Sequence, residues 1–144
     1  MKILALILLS AAPTLARDQS GEILRAIALV ESGGSRHAIG DGGKAVGAWQ
    51  MHPKAWQDAN TFRRAQGLPE IPRSRWRERW VQEAMAKAFY SLIQTRLVRA
   101  GVVRPTASHV ALCWNLGFAG AKARGFRPTA YSTRVARLAG DPRK

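Results

Sequence analysis

Glu31 is one of only nine acidic side chains in a chain of 144 residues, and it stands where an apolar helical run meets a glycine-rich stretch. A carboxyl group at the carboxyl end of a helix feels the negative end of the backbone dipole, and apolar neighbours strip it of water. Both effects raise its pKa. A carboxyl held neutral near pH 7 can deliver a proton to a leaving oxygen, which makes Glu31 the candidate general acid. Asp41, within Gly40-Asp41-Gly42-Gly43, has two readings. It is either a second carboxylate that positions a water or a turn residue whose side chain bonds nearby backbone. Gln50 and Asn115 are uncharged and carry both a donor and an acceptor, as ligand positioning requires. Trp49 and Trp114 offer flat apolar faces for stacking, although tryptophans in a chain this small are mostly core, as expected of Trp76 and Trp80.

Other constellations lead nowhere. His109 and Cys113 are spaced for one helix face, but no third ligand is near and catalytic thiols prefer helix amino ends, so neither a metal nor a cofactor is expected. Cys113 is the only cysteine, which excludes an intramolecular disulfide and leaves it as a small buried hydrophobe. His37 and His52 flank the glycine stretch and read as solvated loop residues. Arg73, Arg75, Arg77 and Arg79 splay over several faces, a solvated rim rather than a nucleic-acid stripe. The net charge of +14 nonetheless biases encounters toward anionic surfaces.

These side chains need a scaffold. Ile23, Ile27 and Val30 recur at helical spacing from Ser20, which predicts a first helix ending near Glu31 at Ser32-Gly33-Gly34. The glycines from 33 to 47 demand a loop or small hairpin. Pro53 starts a second helix with Trp56, Ala59 and Phe62 on one side and Gly67 at its end. From Ser74 the apolar positions Trp76, Trp80, Val81, Met85, Phe89, Ile93 and Leu97 predict a long central helix. Thr106 caps a helix carrying Val110, Cys113 and Trp114, and Tyr131, Val135 and Leu138 mark a last one before Gly140. No convincing alternating strand run is present, so the class is mainly α.

Lys2, the apolar run Ile3 to Leu9 and the small residues before Arg17 read as a secretory signal peptide over residues 1–16, cut after Ala16. Residues 17–144 are then one exported domain without a transmembrane segment.

Glu31-Ser32, then Ala38, Gly47-Ala48-Trp49-Gln50-Met51 with Pro53, Leu112 to Gly117 and finally Tyr131, in this order and spacing, resemble the signature of the soluble lytic transglycosylases and the related goose-type lysozymes. Ala48-Trp49 replaces the usual Leu-Met, Trp114-Asn115-Leu116 replaces Tyr-Asn-Ala, and Ser35 stands for a common asparagine. Asp41 occupies a position where many transglycosylases have serine and goose-type lysozymes commonly have aspartate. The resemblance implies a lysozyme-like fold with a long central helix and a glycine-rich active-site loop or small hairpin. It implies cleavage of the β-1,4 bond between N-acetylmuramic acid and N-acetylglucosamine in peptidoglycan glycan strands, with Glu31 as catalytic acid. In a transglycosylase one carboxyl suffices, whereas in a muramidase Asp41 would hold the attacking water. It further implies substrate binding by Ser32, Trp49, Gln50, Trp114, Asn115 and Tyr131, with Tyr131 hydrogen-bonded to Glu31. The expected protein is a monomer acting in the periplasm or outside the cell, drawn by charge to the anionic wall. A non-enzymatic cationic binder of wall polymer is the competing class.

Overall fold

A computed structural model describes residues 18–141, so the expected signal peptide lies outside the described residues. The protein is mainly helical: α1 (Ser20–Ser32), α2 (Pro53–Ala65), α3 (Arg79–Arg99), α4 (Ala107–Ala123) and α5 (Ala130–Leu138), with a two-stranded sheet of β1 (Ile39–Gly40) and β2 (Ala45–Val46). Among the described residues no helix is long and apolar enough to cross a membrane.

The long helix α3 is the axis of the core. Val81, Met85, Phe89, Ile93 and Leu97 repeat every four residues and are all buried, forming the stripe that α1, α2 and α4 pack against. Burying one such side chain contributes roughly 1.5–3 kcal/mol, which is why the apolar period dominates the fold. Helix α5 then closes over α1 and α4, with Val135 fully buried. Cys113 is likewise buried in the core.

Two amino-terminal caps set the approach of α4 and α5. The backbone N–H of Thr106 donates to His109 Nδ1 at 3.0 Å while Thr106 Oγ1 accepts from the His109 N–H, and Thr129 and Ser132 repeat the arrangement on α5. His109 is thus occupied in capping. Asp141, also buried, accepts from the Ala107 N–H at 2.9 Å and places a carboxylate at the positive end of α4.

Several expectations need correction. The central helix begins at Arg79, not Ser74, because residues 73–75 form a single tight turn and Glu78 is extended. Trp76 is buried as expected, but Trp80 is 51% exposed. Its indole N–H donates to Glu78 Oε2 at 2.9 Å and the Arg75 guanidinium lies 5.0 Å over its ring, so local polar partners hold it at the surface. Leu138 is also exposed. The glycine stretch resolves as a hairpin, pairing Ile39 with Val46 and Gly40 with Ala45. Two residues per strand are too few for alternation to show in the sequence. Three of the arginines at 73–79 are engaged locally, Arg75 with Glu78, Arg79 with Glu83 and Arg77 over Trp76, while Arg73 donates to the Lys44 carbonyl of the hairpin.

Gln82, on α3, pins the hairpin to the core. Its Oε1 accepts from the Ala48 N–H at 3.0 Å, and its Nε2 donates to the Arg36 carbonyl at 2.8 Å. Gly47 has φ +77°, and a Cβ there would come within 2.5 Å of Gln82 Oε1, so this close approach requires glycine. Gln82→Leu keeps most of the volume but leaves the buried Ala48 N–H without a partner. We expect it to lower the unfolding free energy by about 1–3 kcal/mol, measured as a lower urea midpoint with an unchanged slope.

Candidate active site

Glu31 occupies the last turn of α1, and the way that helix stops places it. Gly33 takes the left-handed conformation at φ 65°, while Gly33 N–H donates to Leu29 O and Gly34 N–H to Ala28 O, both at 3.0 Å. This closing motif satisfies the last carbonyls of the helix and turns the chain away immediately after Ser32. The Glu31 carboxyl is half-buried and meets α5, where the Tyr131 hydroxyl donates to Glu31 Oε1 at 2.5 Å.

A cavity of about 230 Å³ opens beside this carboxyl, lined by Glu31, Asp41, Ala45, Gln50, His52, Trp114 and Asn115. A second cavity of about 340 Å³ shares Gln50, His52, Trp114 and Asn115 with it, so the two form one cleft running from Glu31 across the start of α2 to the middle of α4. Helix α4 breaks there, at Gly117 with φ 72° and ψ 160°, past the point where its apolar periodicity predicted a helix. Asp41 and Gln50, both at φ 48°, are two of the three non-glycine residues in the left-handed region among the described residues. Strained backbone of this kind persists only where surrounding contacts hold it, and it clusters at functional sites. For Gln50 the contacts are visible: its Nε2 donates to Gly47 O at 2.9 Å and to Ala38 O at 3.3 Å.

The remaining candidates divide. Trp114 faces the cleft with its indole N–H fixed to Trp49 O at 3.1 Å and its ring edge-on to Phe89, while Asn115 is exposed on the cleft wall. Ser32 does not reach the cleft lining; its hydroxyl donates to Ala48 O at 2.7 Å and braces the hairpin. Trp49 also points elsewhere, since its indole N–H donates to Leu24 O at 2.8 Å and its ring lines a different groove. His52 is the exposed loop residue its position predicts, and it also lines the cleft beside Glu31, with Nδ1 3.7 Å from Asp41 Oδ2. Its place just before the helix-starting Pro53 was the available signal. Among the described residues no group of three His, Cys, Asp or Glu side chains is arranged to hold a metal. Burial pushes the Cys113 thiol up to about 12, so it stays protonated and is no nucleophile.

Burial raises the Glu31 pKa above the usual 4.5, opposed by the Tyr131 hydrogen bond and, more weakly, by His52. The Tyr131 phenol is raised as well, by its own burial and then by Glu31, so it remains a proton donor to the carboxylate. Since the folded chain holds the Glu31 proton more tightly than the unfolded chain, ionising Glu31 destabilises the fold. Both states are neutral well below pH 4.5, and the cost develops as pH rises through the folded pKa. Glu31→Gln should therefore stabilise the protein at neutral pH, with the gain vanishing in acid, as denaturation over a pH series would show. Tyr131→Phe should move the Glu31 titration, followed by carboxyl-carbon NMR, further upward; a downward shift would contradict the assigned role of the hydroxyl. No family model, curated protein or solved structure matches this chain.

Proposed function

We propose that the protein is an exported peptidoglycan-cleaving enzyme, a lytic transglycosylase with a lysozyme-like fold. The observation that carries this reading is a half-buried carboxyl, Glu31, with a raised pKa, a tyrosine hydroxyl on one oxygen and an open cleft beside it. A helix ending on the acid, a glycine-rich hairpin and a long central helix also fit the resemblance. Protonated Glu31 gives its proton to the glycosidic oxygen as the bond from that oxygen to muramoyl C1 breaks, leaving an oxocarbenium-like centre. The resulting carboxylate takes the proton of the C6 hydroxyl of the same sugar, and O6 bonds to C1 as a 1,6-anhydro ring. The proton lost in the first half is regained in the second, so no other titrating group is needed. The amides of Asn115 and Gln50 suit acetamido and hydroxyl groups, and Trp114 supplies an aromatic wall.

One observation favours a water-using muramidase as a second reading. The Asp41 carboxylate is not consumed by its own turn among the described residues: it faces His52 and lines the cleft. A carboxylate so placed can hold a water against the sugar carbon. Mass spectrometry of digested peptidoglycan separates the two. Muramoyl 1,6-anhydro ends, with much activity retained in Asp41→Asn, are expected. Reducing ends heavier by one water, with Asp41→Asn inactive but folded, would assign Asp41 to hydrolysis.

In either case Glu31→Gln should lower wall lysis by roughly 10²- to 10⁴-fold while the chain stays folded. Undiminished lysis by the purified variant would remove Glu31 as the acid, whereas wall binding without any lysis by the parent protein would leave the wall-binding alternative. The charge of +14 also predicts that wall binding weakens steeply with added salt, because attraction to an anionic surface is screened within about 8 Å at physiological ionic strength. Sedimentation with insoluble wall across a salt series measures this.

A further inference from the structure

A groove of about 520 Å³ lies between α1 and the first half of α3 and shares no lining residue with the cavity at Glu31. Its floor is apolar: Leu24, Ala28, Leu29, Ala48 and the ring of Trp49, with Leu29 40% exposed. The polar groups near that floor are already committed within the chain. The Trp49 indole N–H is held by Leu24 O, and the Gln82 amide is held by Ala48 N–H and Arg36 O. A neutral sugar ring, which needs partners for its hydroxyls, finds few here.

The rim has a different character. Arg25 of α1, Arg36 of the following loop, and Arg79 and Lys87 of α3 surround the floor, against one carboxylate, Glu83, which Arg79 engages at 2.9 Å. Arg25, Arg36 and Lys87 are exposed and belong to none of the ion pairs found among the described residues. Cations from three segments thus line an apolar depression. Arg79 and Lys87 stand about 12 Å apart along the helix, the length of about four residues of extended chain.

We propose that this groove docks an acidic segment of a partner protein, one with an apolar side chain between its carboxylates. The apolar residue would fill the floor and the flanking carboxylates would meet the guanidinium and ammonium groups of the rim, which recognise carboxylates by charge-assisted hydrogen bonds. The concave shape favours an inserted side chain over a flat anionic membrane, whose headgroups would not reach the floor. This inference is independent of the wall-cleaving reading, since it uses neither Glu31 nor the cleft.

The probe is a fluorescent peptide of sequence Glu-Asp-Leu-Leu-Asp-Glu, with a counterpart carrying serine for both leucines, titrated with the protein by polarisation. The leucine peptide should bind more tightly than the serine peptide, and Leu29→Ser should erase the difference. Arg25→Glu with Lys87→Glu should weaken leucine-peptide binding on the order of tenfold, whereas Arg104→Glu with Arg127→Glu, an equal change of charge elsewhere, should weaken it far less. Equal losses from both pairs would assign binding to diffuse charge and overturn the proposal. So would equal binding of the two peptides, or binding of phosphatidylglycerol vesicles that is lost in the Arg25/Lys87 pair while neither peptide binds.

Discussion

The side-chain amide of Gln82 is the constraint from which the rest of the site follows. A buried amide whose two ends are both matched is rigid, because releasing either end strands a polar group without water. Here the two ends fix the backbone on both sides of the hairpin, at Arg36 and Ala48. From Ala48 the order propagates: its carbonyl receives the Ser32 hydroxyl next to Glu31, and the next carbonyl, of Trp49, receives the Trp114 indole. Three elements that share no local sequence are thereby registered against one another, and the cleft is the space left between them. Gln50, strained at φ 48°, directly follows the two residues whose carbonyls carry this registration.

The proton on Glu31 is governed chiefly by two opposed influences. Burial by α1 and α5 favours the neutral acid, while the hydrogen bond from Tyr131 favours the anion. Stronger burial alone would give an acid too weak to donate readily, and stronger hydrogen bonding alone would leave a permanently ionised group. A carboxyl suited to donating and then accepting a proton at one centre needs a pKa not far from the ambient pH. The Tyr131 hydroxyl opposes the effect of burial without introducing a second charge.

What was readable from the sequence is what depends on period and on chain punctuation. The helical stripes announced themselves because burial repeats with the helical turn, and Gly33, Pro53 and Thr106 marked ends because their backbone or capping chemistry leaves few options. What was not readable depends on tertiary partners. Trp80 looks like core by type, but Glu78 and Arg75 hold it in solvent. Trp49 looks like a sugar platform beside Gln50, but the Leu24 carbonyl turns its ring toward the other face. His52 reaches Asp41 only because the hairpin folds back on itself. The pairing of Glu31 with Tyr131 came from family resemblance, since no spacing rule connects residues so far apart.

That distance has a consequence for assembly. The Glu31–Tyr131 contact joins residues 100 positions apart, and its second member rides on α5, a helix of only nine residues near the end of the chain. Contacts that close such long loops form only once the loop-closure entropy has been met, and α5 meets it through its packing on α1 and α4, with Ser132 and Val135 fully buried. Without α5 docked, the Glu31 carboxyl lacks both the Tyr131 hydroxyl and the cover of that helix. In the proposed chemistry, then, Glu31 is complete as a donor only while α5 is docked.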